Sequence, residues 1–293
     1  MIEFKGYKPS RVIHIRSQDV GVAKGVSGSL ANFNISLNPA ITAEEDEYML
    51  VSVNSAQIPF SFYNVNDNNN QITGDDGASF TATLTNGNYN ITQLLAEIKT
   101  KVNSQTGTHD ITAASYDSKT NKVTITTAGN VSFSWKTGTK TVGKLIGFIT
   151  DSASATTSHT SDAQVNTGGE EAVYIRSSLH SINSYESRTG GASDILAKVP
   201  NMVSFYGIIH YQPPVNVWKC QLQRGQTLSN FSLSLTDSEH KVLDINGMNF
   251  EVSLLVEFRK AMEKEYVETK VRPMMRDPRA SSGRMDRRQL TQM

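Results

Sequence analysis

The chain has 293 residues, which is long enough for one large domain or two ordinary ones. Its hydrophobic content of 38% and charged content of 19% are low for a globular enzyme, and Asn, Ser and Thr fill the difference. No apolar run approaches the ~20 residues of a transmembrane helix, and no signal peptide is visible, so an integral membrane protein is not expected.

Clean alternation of apolar and polar residues at 30–37, 229–236 and 250–259, together with five less regular strand-like segments, predicts eight strands outside residues 64–171. The predicted strands are 11–17, 30–37, 47–55, 172–178, 203–211, 217–223, 229–236 and 250–259. The residues predicted to face the space between two sheets are Phe231, Leu233, Leu235, Val252, Leu254 and Val256. Eight antiparallel strands in two facing sheets predict a mainly β fold, a single eight-stranded jelly roll, and a β-sandwich of another topology stays open.

The stretch from 64 to 171 has a different character and interrupts the predicted jelly roll. The polar run Asn64–Asn70 and the Ser/Thr-rich stretch 151–169 have the composition of linkers. Between them the sequence predicts strands at 79–85, 111–116, 122–127 and 131–136 and one amphipathic helix containing Ile91, Leu94, Leu95, Ile98 and Val102. Asn90 and Gln93 have the form of a capping box before this helix.

The predicted organisation therefore has four parts. The first part of the jelly roll, with an N-terminal arm, covers residues 1–63, and a small α+β domain is inserted at 64–171. The second part of the jelly roll covers 172–260, and a basic tail covers 261–293. Residues 259–293 hold ten basic and five acidic side chains, a net charge of +5 in a chain whose overall charge is zero.

The residues that could carry chemistry are scattered. Six histidines show neither an HxH nor an HExxH spacing, and none has a nearby acidic partner that would suggest a metal site: His14, His109, His159, His180, His210 and His240. The acidic stretches 75–77 and 117–121 fit turns better than calcium loops, and Cys220 fits a buried core thiol. The sequence predicts no enzyme, no cofactor and no metal site. A hydrolase on a jelly roll would need paired carboxylates or clustered histidines on adjacent strands.

Short motifs in a fixed order support a specific resemblance. The motifs are IPFSFYNVN at 58–66, TNGNYNIT at 85–92 before the Leu94-Leu95 helix, SYD at 115–117, NKV at 121–123, LIGF at 145–148, VYIRSSL at 173–179, ILAKVP at 195–200, LSLTD at 233–237 and DINGMNF at 244–250. Over roughly residues 48–258 this order resembles the penton, or minor capsid, proteins of virophages and Polinton-like viruses, relatives of the double-jelly-roll DNA viruses.

The resemblance implies a structural role in a virion that is assembled from proteins made in the host cytoplasm. Five copies of a vertical jelly roll would form a homopentamer that closes each icosahedral vertex, with the inserted domain projecting outward. The major capsid protein would be the neighbouring partner. A fivefold ring requires heterologous contacts, in which one side of each subunit matches the opposite side of the next.

The basic tail is the candidate capsid-contact segment. Its arginines lie among Pro, Ser and Gly, a composition that does not pack a core: Arg272, Arg276, Arg279, Arg284, Arg287 and Arg288. The planar guanidinium fork suits carboxylates and phosphates, so the predicted partners are a neighbouring capsomer or packaged nucleic acid. A solvated terminal arm without a partner is the alternative.

A second function class stays open. The chain could be a receptor- or glycan-binding β module, similar to a fibre or a lectin, in which the inserted domain carries recognition. Exposed aromatic residues in the insert, such as Trp135 or Tyr116, would favour this class.

Overall fold

The computed structural model describes residues 8–179, 183–214 and 218–260. Before residue 64 it contains β1 (Arg11–Arg16), β2 (Val26–Ser29), β3 (Asn32–Thr42) and β4 (Glu47–Pro59), with a short 3-10 helix at Ser17–Asp19. Within 64–171 it contains β5 (Gln71–Asp75), β6 (Ser79–Thr83), α1 (Ile91–Asn103), β7 (Ile111–Asp117), β8 (Lys122–Phe133), a 3-10 helix at Gly143–Ile146 and β9 (Thr156–Thr160). After residue 171 it contains β10 (Ala172–Ser177), β11 (Tyr185–Glu186), β12 (Gly191–Ala192), β13 (Ile195–Pro200), β14 (Ile208–Tyr211), β15 (Cys220–Gln221), β16 (Thr227–Thr236) and β17 (Glu251–Lys260).

Two antiparallel sheets form the body of the protein. Sheet I has the order β1-β17-β4-β14, with β15 also paired to β4, and sheet II has the order β13-β10-β16-β3-β2. Without the short strands β2 and β15, the two sheets contain eight strands. When these eight are numbered 1 to 8 in chain order, the order across sheet I is 1-8-3-6 and the order across sheet II is 2-7-4-5. This is the strand order of a jelly roll, so the predicted fold class is confirmed.

The strand count differs from the predicted eight. Each predicted strand has a counterpart, although 217–223 shortens to Cys220–Gln221 and 203–211 shortens to Ile208–Tyr211. The sequence prediction missed β2 and β13, which give the two sheets ten strands among the described residues. It also missed the two-residue strands β11 and β12, which form a separate hairpin.

The predicted inward-facing residues are buried. Phe231, Leu233 and Leu235 of β16 are at most 3% exposed, and the three predicted residues of β17 are at most 1% exposed. They belong to one hydrophobic cluster between the sheets, which also contains Cys220 as predicted. Every second residue of these strands therefore faces the core, as one buried and one wetted sheet face require.

Residues 64–171 contain a second hydrophobic cluster, whose buried members run from Val65 to Phe148. A sheet of order β6-β5-β8-β7, with β9 on β8, packs against α1. The predicted capping box is present, since Asn90 Oδ1 accepts from Gln93 N and Gln93 Oε1 accepts from Asn90 N. Two separate cores are what the predicted insertion requires, although the domain boundaries themselves stay a prediction.

Three details of this region correct the sequence prediction. The strands predicted at 122–127 and 131–136 are one strand, β8. Strands β5 and β9 were missed, and β9 lies within the stretch predicted as a linker. Short Thr- and Ser-containing strands of this kind have little apolar alternation by which a sequence could reveal them.

Candidate functional site

The predicted tail contacts lie outside the described residues. This applies to all six candidate arginines: Arg272, Arg276, Arg279, Arg284, Arg287 and Arg288. Their role as capsid contacts therefore stays a prediction, and the candidate sites of the body come from other residues.

The histidines occupy environments that the sequence did not reveal. His14 and His210 are exposed on strands, as predicted, and His180 lies outside the described residues. His109 and His159 are buried, and burial lowers the pKa of His159. His109 and His240 each contact a carboxylate that is distant in sequence.

His109 forms a buried pair with Asp76. The distance from His109 Nδ1 to Asp76 Oδ2 is 2.9 Å, and the imidazole stacks on Phe80 with 3.8 Å between ring centroids. The same carboxylate oxygen accepts hydrogen bonds from the backbone N and the Oγ1 of Thr108. The backbone bond from Thr108, followed by the bond from His109, lowers the pKa of Asp76 to about 2. The pair closes the loop before β7 onto the loop between β5 and β6.

The two predicted turns are confirmed as hydrogen-bonded turns. Asp75 accepts from Gly77 N and from Ser79 Oγ, and Asp117 accepts from Lys119 N and from Thr120 Oγ1. These carboxylates satisfy their own loops, as Asx turns do. Within the described ranges no group of three His, Cys, Asp or Glu side chains could hold a metal ion.

A buried arginine organises the outer face of sheet II. Arg176 of β10 is 3% exposed, and its guanidinium binds both carboxylate oxygens of Glu186, at 3.1 and 2.9 Å. It also pairs with Asp194, and its Nε donates to Thr236 Oγ1 at 3.0 Å. The β11–β12 hairpin, which carries Glu186, is thereby fixed to the sheet. We call these side chains, together with His240, the Arg176 cluster.

His240 completes the Arg176 cluster from the connection that precedes β17. Its Nε2 lies 2.7 Å from Glu186 Oε1, so one carboxylate joins three separate segments of the body. The hydrogen bond from Arg176 is the largest cause that lowers the pKa of Glu186, and the bond from His240 lowers it further. The arrangement is that of a structural clamp, in which charge-assisted bonds satisfy a buried cation.

The junction between the body and residues 64–171 is built from amide groups. Asn64 is 7% exposed, and its Nδ2 donates to Tyr89 O and Thr167 O at 2.8 and 2.9 Å. Its Oδ1 accepts from Tyr89 N, and its own backbone N donates to Asn88 Oδ1. The prediction of a linker is therefore wrong at Asn64, because the amide holds both ends of the inserted region together.

A polar cleft of about 750 Å³ lies beside this junction. Lys144 reaches across the cleft to Glu239 of the body, with 2.5 Å between Nζ and Oε1. The hydrogen bond from Lys144 is the largest cause that lowers the pKa of Glu239 to about 2, and the bond from Lys241 lowers it further. Burial, followed by the charge of Asp237, raises the pKa of Glu170 in the cleft wall. Lys144 is largely exposed, and exposed ion pairs contribute only ~0–1 kcal/mol, so the amide bonds of Asn64 hold the junction more firmly.

The two aromatic residues whose exposure would favour a recognition module differ. Trp135 is 2% exposed and stacks between Phe133 and Phe148, so it does not supply an exposed ring. Tyr116 is 38% exposed, and its hydroxyl donates to Asn121. The hydrophobic core of the inserted region, and not a binding surface, explains the tryptophan.

The comparisons with known proteins find similarity among solved structures. No family model matches the sequence, and no curated protein matches it. The crystal structure of the mavirus penton protein aligns with 86% of this chain and 100% of its own chain, at 12% identity and a TM-score of 0.43. Function is therefore inferred from the chain's own topology and residues. No helix in the described ranges has the length and apolar character to cross a membrane.

Proposed function

We propose that this chain is a structural capsid protein of the penton type, with five copies closing a fivefold vertex of an icosahedral shell. The observation that carries the proposal is a complete jelly roll whose third and fourth strands, β4 and β10, are separated by a region with its own core. The motif order over residues 48–258, which resembles penton proteins, supports the specific assignment.

The topology suits assembly side by side. The inserted region leaves the jelly roll after Pro59 and returns at Ala172, so it occupies one end of the sandwich. No strand described within 64–171 pairs with the edge strands of either body sheet. A closed ring needs two lateral sides, one for each neighbour. The buried Arg176 cluster and the His109–Asp76 pair stabilise loops of the body and of the inserted region, and neither requires a substrate.

The expected result for the purified full chain is a ring of five copies. Native mass spectrometry would give the number of copies, and negative-stain images would show the fivefold symmetry. A single copy at every concentration would contradict the proposal. A ring with another number of copies would reject the fivefold vertex specifically.

We further propose that the basic tail contacts a neighbouring capsomer or the packaged nucleic acid. Deletion of residues 272–293 is expected to leave folding and ring formation intact but to weaken incorporation into shells formed with the major capsid protein. Residual incorporation should depend less on salt, because ions screen charged contacts beyond ~10 Å at 0.1 M. The measurement is the amount of the chain per shell across a salt series.

A matched variant separates charge from length in this experiment. Replacing the six tail arginines with glutamine keeps the chain length and removes six positive charges, and we expect the same loss as in the deletion. If both variants enter shells as efficiently as the unchanged chain at every salt concentration, the tail has no partner.

A further inference from the structure

The two lateral sides of the jelly roll each contain a connection that passes from one sheet to the other. Residues 17–25 run from β1, an edge strand of sheet I, to β2, an edge strand of sheet II. Residues 201–207 run from β13, the other edge of sheet II, to β14, the other edge of sheet I. We call the side with 17–25 the first flank and the side with 201–207 the second flank.

Both connections lie at the same level along the direction of the strands. Across sheet I, Arg16 pairs with Glu251, Glu251 pairs with Gln57, and Gln57 pairs with His210. This continuous row joins the end of β1 to β14, so the two flank connections lie level with each other. They also lie at the end of the sandwich where β4 leads into the inserted region, since Tyr206 N donates to Phe60 O.

Each flank connection exposes large apolar side chains. Val22 is 85% exposed on the first flank, whereas Met202 and Tyr206 are 90% and 84% exposed on the second. Ile208, the first residue of β14, is also exposed beside them. Exposed apolar side chains that occur close together in the chain, as Met202, Tyr206 and Ile208 do, are a common feature of interaction surfaces.

Tyr206 is exposed on a strained backbone. Its φ of 69° lies in the left-handed region, which is an outlier for a bulky side chain. Hydrogen bonds from Tyr206 N to Phe60 O and from Gly207 N to Ser204 O hold this conformation, and the ring packs on Phe205 at 4.1 Å. Strained backbone persists where the surrounding structure fixes it, and it concentrates at functional sites.

The first flank carries more basic than acidic side chains. Arg11, Arg16 and Lys24 are exposed there, and Arg16 pairs with Asp19 of the same flank at 3.5 Å. On the second flank, the carbonyl of the exposed Glu171 accepts from Asn201 N, which places this carboxylate-bearing residue at the start of the connection. The exposed Lys198 of the edge strand β13 lies on the same flank. Opposite charges on facing patches favour one orientation of association.

We infer that the first flank of one copy binds the second flank of the next copy, with Val22 facing the Met202–Tyr206–Ile208 patch. This inference rests on the proposed function and assigns its subunit interface. In a cyclic ring, contacts join points at the same height along the axis, and the level position of the two flank connections meets that condition with the axis along the strands. The occupant of each apolar flank is therefore a second copy of this chain.

Substitutions on either flank are expected to prevent ring closure. The first variant is Val22→Asp. It places a carboxylate on the first flank, which would then face the second flank of the next copy, where Glu171 lies. The second is Met202→Ser with Tyr206→Asn, because asparagine tolerates the left-handed conformation and removes only the ring. Each should raise the concentration needed for rings by about tenfold or more, as expected for central interface residues. The matched control is Tyr185→Asn, on the β11–β12 hairpin, where the tyrosine is 80% exposed.

Mixing the two flank variants tests the head-to-tail geometry. Each variant keeps one unchanged flank, so equal amounts should give dimers of one copy of each and nothing larger, as measured by native mass spectrometry of the full-length chains. Circular dichroism confirms that each variant folds. Rings from both flank variants at the concentration of the unchanged chain, or equal loss in the Tyr185→Asn control, would overturn this inference while the proposed function stands. An unchanged chain that forms no ring would overturn both.

Discussion

Replacing Leu254 with aspartate is expected to prevent the chain from folding. Leu254 lies in β17 between Ile13 of β1 and Val53 of β4, and its side chain is fully buried. An unpaired carboxylate at this position costs several kcal/mol. Because the whole free energy of unfolding of a domain is only about 5–15 kcal/mol, this one substitution removes a large part of it. The measurement is the soluble yield and the cooperativity of thermal unfolding.

Two further variants of the same region make the result specific. Glu251→Gln, at an exposed position of β17, should stay within ~0.5 kcal/mol of the unchanged chain. Leu254→Ala should fold but lose about 2–5 kcal/mol, since it removes buried methyl groups without adding a charge. A soluble Leu254→Asp protein with a cooperative unfolding transition would show that β17 places its other face in the core.

The strands that the sequence predicted best are those with unbroken alternation. From Phe231 to Leu235 of β16 and from Val252 to Phe258 of β17 every second residue is buried, so period two is visible without knowledge of the partner strands. The helix was equally accessible, because Leu94, Leu95, Ile98 and Val102 are its buried residues and its capping box is local in sequence. Local patterns thus predicted the jelly roll and the core of the inserted region.

Strand β4 shows why other elements were less clear. Its buried hydrophobic residues are odd-numbered up to Val53 and even-numbered from Ala56 to Ile58. The pairing with β17 shifts between Ser253 and Leu254, so β4 contains an extra residue there, which moves later side chains to the other face. A bulge depends on the partner strand, and a single sequence gives no sign of it.

Buried polar groups were the least predictable feature. His109 and Asp76 are 33 residues apart, and Glu186 joins Arg176 to His240 across 64 residues of chain. Asn64 stands in a run of asparagines that composition alone assigns to a linker. In each case the side chain is polar because it satisfies distant groups in a buried place, and only the fold brings those groups together.

The two flanks also could not be identified from the sequence, because only the fold brings their residues to matching positions. Val22 and Tyr206 are 184 residues apart in the sequence, and neither belongs to a motif that the sequence analysis identifies. Their level position on opposite sides follows from the register of β1, β17, β4 and β14. The sequence predicted that a ring needs two matching sides, and the topology is needed to identify them.

The Arg176 cluster provides a second test with a large expected effect. Glu186→Ala should lower the free energy of unfolding by about 2–4 kcal/mol, because it leaves the guanidinium of Arg176 buried without its bidentate partner. The loss should fall short of the ~5 kcal/mol upper range for buried pairs, since Asp194 still pairs with one nitrogen. Denaturant unfolding, with the slope checked for two-state behaviour, gives the value.

A surface pair and a double variant establish that burial causes this loss. Asp46→Ala removes the partner of Lys260 in an exposed pair at 3.4 Å, and it should cost less than ~1 kcal/mol. Arg176→Met with Glu186→Leu should lose less than the sum of the two single variants, because the double variant leaves no unpaired charge in that pair. Hydrogen exchange should show faster exchange of the β11–β12 amides in Glu186→Ala, since the hairpin loses its bond to β10. If Glu186→Ala costs no more than Asp46→Ala, the cluster does not hold the hairpin, and the bonds of Arg176 contribute nothing to stability.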